Sequence, residues 1–199
     1  MAWTIVLIGF ILYFLLDFNY FLRVSLICML AKYFRKGINI LEPSAIYGIC
    51  IPTDGALMLT SMNNARYPRE CDFGRFDYLE RCGLLSEMLK EGGNFPIAAS
   101  TFRYRQPLWM FSRYKVETNL VWWDSKNFYF EQRVITISDG VIRGAGYFRN
   151  GSKKPVVDDV ISKVYPNIQK PEIPEDLKTW IEYNEMNREM SKCNSPLID

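Results

Sequence analysis

Ile51-Pro52-Thr53-Asp54, then Ser61-Met62-Asn63-Asn64-Ala65-Arg66-Tyr67, then Arg69-Glu70-Cys71-Asp72-Phe73-Gly74-Arg75 carry the chain out of a strand, round a loop and into a helix. Ala45–Ile51 is short, apolar and bounded by Pro43 and Pro52, which is a strand signal. Asp54–Ser61 reads as a loop. After Met62 the period becomes helical. Cys71, Phe76, Leu79 and Cys82 recur at helical spacing, with Arg69, Glu70, Asp72, Arg75 and Glu80 between them, and Gly83 suits the helix end.

Working outward from that helix, Leu84–Lys90 makes a second short turn before Gly92-Gly93. Four strand-like runs follow: Ile97–Leu108, Ser112–Trp123, Asn127–Ser138 and Val141–Arg149. The turns between them hold Gln106-Pro107, Asp124-Ser125-Lys126 and Asp139-Gly140, and connections this tight favour antiparallel pairing over crossovers. Asn150-Gly151 reads as a further turn. The tail from Asp158 carries Pro166, Pro171 and Pro174 and then a helix, Glu175–Met190. One strand, one longer helix and an antiparallel meander make an α+β order, a five-stranded sheet with a central helix. A single helix covers one sheet face, so a homodimer is one natural way to cover the rest.

Toward the N-terminus, Ala2–Leu16 holds no charged residue and Asp17 is the only one before Arg23. A run of about 20 apolar residues spans a bilayer, and Ala2–Leu22 meets that length. Arg23, Lys32, Arg35 and Lys36 all follow it, which places the C-terminal side in the cytosol. The expectation is a signal anchor in an internal membrane such as the endoplasmic reticulum, with Val24–Tyr33 as an amphipathic extension along the surface. The alternative is a cleaved signal peptide and secretion, under which Asn150-Gly151-Ser152 would be a glycosylation sequon. The organisation expected is an anchor over 1–36, a globular domain over 37–170 and a C-terminal helix and tail over 171–199.

Composition removes several chemistries. The chain has no histidine, which excludes Ser-His-Asp and Cys-His arrangements and H-E-x-x-H zinc sites. Its five cysteines show no C-x-x-C spacing, so neither a disulfide framework nor a structural metal is expected, and Cys71 and Cys82 read as small apolar residues. A net charge of +2 argues against a nucleic-acid partner.

The stretch quoted first resembles the hotdog thioesterase superfamily, and within it the branch called thioesterase superfamily member six. The likeness continues through Arg103–Arg113, Trp122-Trp123-Asp124, Phe128-Tyr129 and Ile173–Glu185, covering roughly Tyr47 to Met190. The resemblance implies a hotdog fold, a sheet wrapped around the helix and paired into a homodimer, an acyl-CoA or related acyl thioester as ligand, and no cofactor. Asp54 matches the family's functional carboxylate. Ser61 stands where many relatives have histidine, and a serine cannot act as a base near neutral pH. Ser61 is expected to hydrogen-bond Asp54 or cap the helix, with nucleophilic attack as the alternative. Met62, Asn63 and Asn64 sit where a helix N-terminus would offer N–H donors to an oxyanion. The two asparagines are also expected to cap the helix. Tyr67 either packs in the core or points into the site. Pro68 is tolerable only where the helix begins within a turn of it.

Arg103, Arg105, Arg113 and Lys115 are candidates for coenzyme A phosphates, against a solvated strand face as the plain alternative. Trp109, Phe111, Trp122, Trp123, Phe128 and Phe130 read as core or dimer contacts before an acyl pocket. Two functions remain in view. One is hydrolysis of an acyl-CoA thioester by an Asp54-activated water or by Asp54 as nucleophile. The other is a catalytically degenerate acyl-ligand binder or membrane-tethered interaction protein.

Overall fold

The computed structural model describes residues 3, 4, 7, 9, 13, 17–152 and 156–194. Helix α1 (Phe18–Phe34) leads to β1 (Ser44–Ile49), α2 (Arg66–Arg81) and α3 (Leu84–Lys90). Then come β2 (Ile97–Tyr104), β3 (Arg113–Trp123), β4 (Asn127–Thr136), β5 (Ile142–Gly151), α4 (Val157–Val164) and α5 (Glu175–Asn194). The expected strands and the central helix are all present, with ends shifted by a few residues. The result is an α+β architecture of the hotdog type.

The sheet runs in the order β1-β3-β4-β5-β2 with every neighbour antiparallel. Only β3-β4-β5 form a meander. The expectation that β2 turns tightly into β3 is therefore corrected: β2 lies at the far edge beside β5, and residues 105–112 cross over. Pro107 lacks an N–H and ends the pairing, while Leu108 is fully buried and pins the crossover beneath the start of α2. Asn150 is corrected too. It lies inside β5, paired with Phe128 and Ile97, buried, and its amide donates to Phe95 O at 2.8 Å. The folded domain has no room there for a glycan.

Helix α2 crosses the inner sheet face. Gly74 allows the closest approach, because a Cβ there would lie 2.6 Å from Thr118 Oγ1. That proximity lets Gln132 Nε2 donate to Cys71 O and to Thr118 Oγ1, at 2.8 and 2.7 Å, while Arg75 donates to Gln132 and pairs with Asp72. Glu70, Arg75 and Asp77 are buried, so the charges between the apolar positions of α2 do not all face water. Gly83, at φ 77°, ends the helix as its position indicated.

Arg75 is buried against the sheet, whereas Glu70 and Asp77 are covered by α1 on the other side of α2. Arg23 donates twice to Glu70, at 2.6 Å each, and Arg69 donates to Asp17 at 2.7 Å. Arg35 pairs with Asp77, and Tyr20 packs on Phe73 at 5.4 Å. Tyr20, Val24, Ile27, Cys28 and Ala31 form the inward stripe of α1, at helical spacing. Its outward side is apolar as well, with Phe18, Phe21, Met29, Tyr33 and Phe34 exposed. The expected membrane span Ala2–Leu22 falls partly outside the described residues, which leave out ten of its 21 positions. Among the described residues no helix is long and apolar enough to cross a membrane.

Helix α5 lies on the outer sheet face, where Tyr147 donates to Asp176 at 2.8 Å and stacks on Trp180. Helix α4 was not expected from the proline-rich tail. Its Val157, Val160 and Ile161 are buried at i, i+3 and i+4, a short helical period easily overlooked in eight residues.

Candidate functional site

Pro52–Asp54 form a single 3-10 turn that brings Asp54 to the entrance of α2. Asp54 is buried. Its Oδ2 accepts from Ile51 N–H at 3.2 Å, and its Oδ1 lies 4.0 Å from Arg66 Nε. The backbone of the turn is fastened to the helix start, since Asn63 N–H donates to Asp54 O at 2.8 Å and Arg66 Nη2 donates to Thr53 O at 2.7 Å. One carboxylate oxygen is thus held by its own turn, and the other faces a guanidinium.

The expected helix-start donors divide. Met62 N–H donates to Leu108 O at 2.8 Å and Asn63 N–H to Asp54 O, so neither is free for an oxyanion. Asn64 N–H makes no hydrogen bond among the described residues. Asn63 Oδ1 accepts from Ala65 N–H at 3.0 Å, an Asx-type entry to the helix, whose cap residue is Ala65. Pro68 is the third helical residue, where its missing N–H leaves no helical bond unmade.

Ser61 neither caps the helix nor touches Asp54. Its backbone pairs with Trp109 and accepts from Ala56 N–H at 2.8 Å, and among the described residues its hydroxyl makes no hydrogen bond. The expectation of a Ser61–Asp54 bond is corrected: the bridge to Trp109 sets the direction of the side chain. Tyr67 is a core residue, its hydroxyl accepting from Leu108 N–H at 3.2 Å and its ring against Phe102 and Tyr104.

A cleft of about 410 Å³ opens beside Asp54. It is lined by charged side chains, Asp54, Arg66 and Arg69 among them, and by the apolar Leu22, Leu26, Ile51 and Phe73. Arg103, Arg105 and Arg113 are exposed and lie outside this cleft. Arg103 shares the outer sheet face with Arg133, both being paired with Ala145. The cations that do line the cleft, Arg66 beside Asp54 and Arg69 paired with Asp17, were passed over in the sequence. Their spacing with Phe73, at i, i+3 and i+7, is the signal that would have placed them on one helix face.

The aromatic set separates into Trp123, Phe128 and Phe130 in the core, Trp122 tilted against Tyr129, and Trp109 and Phe111 exposed. Cys50, Cys71 and Cys82 are buried free thiols. Burial pushes Cys71 and Cys82 up to about 12 and Cys50 up to about 11, so none is set up as a nucleophile.

A family model described as "Thioesterase-like superfamily" matches residues 54–181, starting at the carboxylate just described. The chain is 37% identical over 188 residues to Protein THEM6 of Drosophila melanogaster, covering 94% of this chain and 96% of that protein. It is 32% identical over 185 residues to Protein THEM6 of Xenopus laevis, covering 91% and 87%. A solved gentisyl-coenzyme A thioesterase superposes with a TM-score of 0.54 at 18% identity, over 62% of this chain and all of that one. A Staphylococcus aureus protein solved in complex with CoA gives 0.55 at 14% identity, over 71% and 96%. The two structures agree in fold, and the sequence matches go further. The chain belongs to the thioesterase-like superfamily and, within it, to the branch of the THEM6 proteins.

Proposed function

We propose that the protein hydrolyses a fatty acyl-CoA thioester. The observation that carries this reading is a buried Asp54 at the mouth of α2, beside Arg66, opening on a cleft that Leu22, Leu26, Ile51 and Phe73 also line. Water held by Asp54 Oδ1 attacks the acyl carbon and gives its proton to the carboxylate. The carbon–sulfur bond then breaks and the leaving thiolate takes that proton. The Arg66 guanidinium is the donor within this cleft for the developing oxyanion. Asp54→Asn keeps the shape of the turn and removes the base, so turnover of lauroyl-CoA is expected to fall by about 100-fold or more. No turnover by the folded wild-type protein across acyl chain lengths would overturn the reading.

A second reading is favoured by Ser61, which replaces a family histidine and makes no contact with Asp54. In it the protein binds acyl-CoA without cleaving it. Saturable binding of intact acyl-CoA with no thiol release selects this alternative.

The reading places the protein on an internal membrane, held by the apolar segment before Arg23, with the domain on the cytosolic side. The exposed apolar side of α1 supports it, because such a surface is costly in water and suits lipid. A homodimer is supported by β2, an edge strand with Ile97 and Tyr104 exposed.

A further inference from the structure

We infer that helix α1 is the acyl-facing wall of the Asp54 cleft, with Leu22 and Leu26 setting the chain length accepted. The inference rests on the proposed acyl-CoA reading and deepens it.

Three observations converge on it. First, the cleft beside Asp54 is not closed by the sheet or by α2 alone. Asp17, Asn19, Leu22, Arg23 and Leu26, all in or at the start of α1, supply a large share of its lining. Second, the lining is mixed. Leu22, Leu26 and Ile51, each about half exposed, line the cleft together with Asp54, Arg66 and Arg69. Apolar side chains left partly in water around a cavity of this size are what an apolar group covers, and the charged side chains fit the thioester carbonyl and its charged continuation. Third, the wall is fixed in place. The two-pronged Arg23–Glu70 pair, with Tyr114 Oη also donating to Glu70 at 2.6 Å, ties α1 to α2 and through it to β3. Arg69–Asp17 fastens the end of α1 nearest Asp54. A side chain on a helix held this way is a fixed boundary for a chain lying against it.

The occupant assigned is the acyl chain. The C-terminal end of the stretch that reads as a membrane tether then also shapes the site.

The test uses the full-length protein in detergent micelles with non-hydrolysable thioether analogues of hexanoyl-, lauroyl- and palmitoyl-CoA, and calorimetry for affinity. Leu26→Trp, and separately Leu22→Trp, narrow the groove. Each is expected to weaken the lauroyl and palmitoyl analogues at least 5-fold and leave the hexanoyl analogue within 2-fold. Leu26→Ala is expected to shift the preference toward the longer chain. Phe21→Trp, exposed on the flank of the same helix turned away from Leu22 and Leu26 and outside the cleft lining, controls for a general disturbance and is expected to leave all three unchanged. An unchanged chain-length profile in the tryptophan variants, with wild-type binding intact, overturns the wall assignment and leaves the acyl-CoA reading standing. Failure of the wild type to bind any analogue overturns both. Lauric acid run in parallel should lose affinity by the same factor as the lauroyl analogue. A loss confined to the CoA analogue would place the effect on the head group and overturn the assignment.

Discussion

Gly74 shows how much one residue decides. Alanine normally favours a helix over glycine by about 1 kcal/mol. At this position its Cβ would sit 2.6 Å from Thr118 Oγ1 and 3.0 Å from Gln132 Nε2, both held by a buried polar network. The network cannot yield without losing bonds, so the clash wins. Gly74→Ala is expected to destabilise the protein by about 1–3 kcal/mol, read as a lower denaturant midpoint at unchanged slope. A neutral or stabilising effect would show that α2 stands farther from the sheet. Asp54 is legible at the same scale: its identity and its place before a helix were readable from the sequence. Which of its neighbours it touches was not. Ser61 lies seven positions away and does not meet it, whereas Arg66, twelve away, does.

Among elements, α1 carries the largest difference between sequence and structure. The sequence shows an apolar run with one acid and a basic flank, and that pattern suits a membrane anchor. The structure shows that Asp17, Arg23 and Arg35 each have a partner on α2. Charges that read as a topology signal are also the clamp holding α1 to the domain. Glu70→Ala removes the partner of Arg23 and Tyr114 together. The expected cost is about 2 kcal/mol, less than for a wholly buried pair because Arg23 keeps access to water. Hydrogen exchange should rise in the amides of 18–34 while β3 to β5 stay protected. Equal loss of protection in the sheet would show that α1 and the domain unfold as one unit. The strands β3, β4 and β5 were legible because Asp124-Ser125-Lys126 and Asp139-Gly140 leave no alternative to hairpins. Placing β2 beside β5 required the crossover, whose anchors (Leu108 N–H on Tyr67, Met110 N–H on Thr60) are far apart in sequence.

For the molecule as a whole, topology is the open variable that chemistry can read directly. Asn150 is buried in β5, so its natural sequon does not report the compartment of the folded domain. The β4–β5 turn does, because Asp139 and Gly140 are exposed. A sequon grafted there in the full-length protein is expected to stay unglycosylated in cells, with no endoglycosidase-dependent shift on a gel. A shifted band would place the domain in the lumen and overturn the cytosolic assignment.

By itself the sequence determined the α+β order, the central helix from its period and Gly83, the β3–β4 and β4–β5 hairpins from their turns, the family from the Asp54-to-Tyr67 stretch, and the absence of histidine chemistry. These are local properties, decided by residues a few positions apart. The tertiary structure alone decided that β2 closes the sheet beside β5, that Met62 and Asn63 donors are engaged, that Asn150 is interior, and that α1 walls the Asp54 cleft. Each depends on contacts between segments distant along the chain. Whether a donor is free or an ion is paired is settled by what packs against it, and no periodicity in the sequence encodes that neighbour.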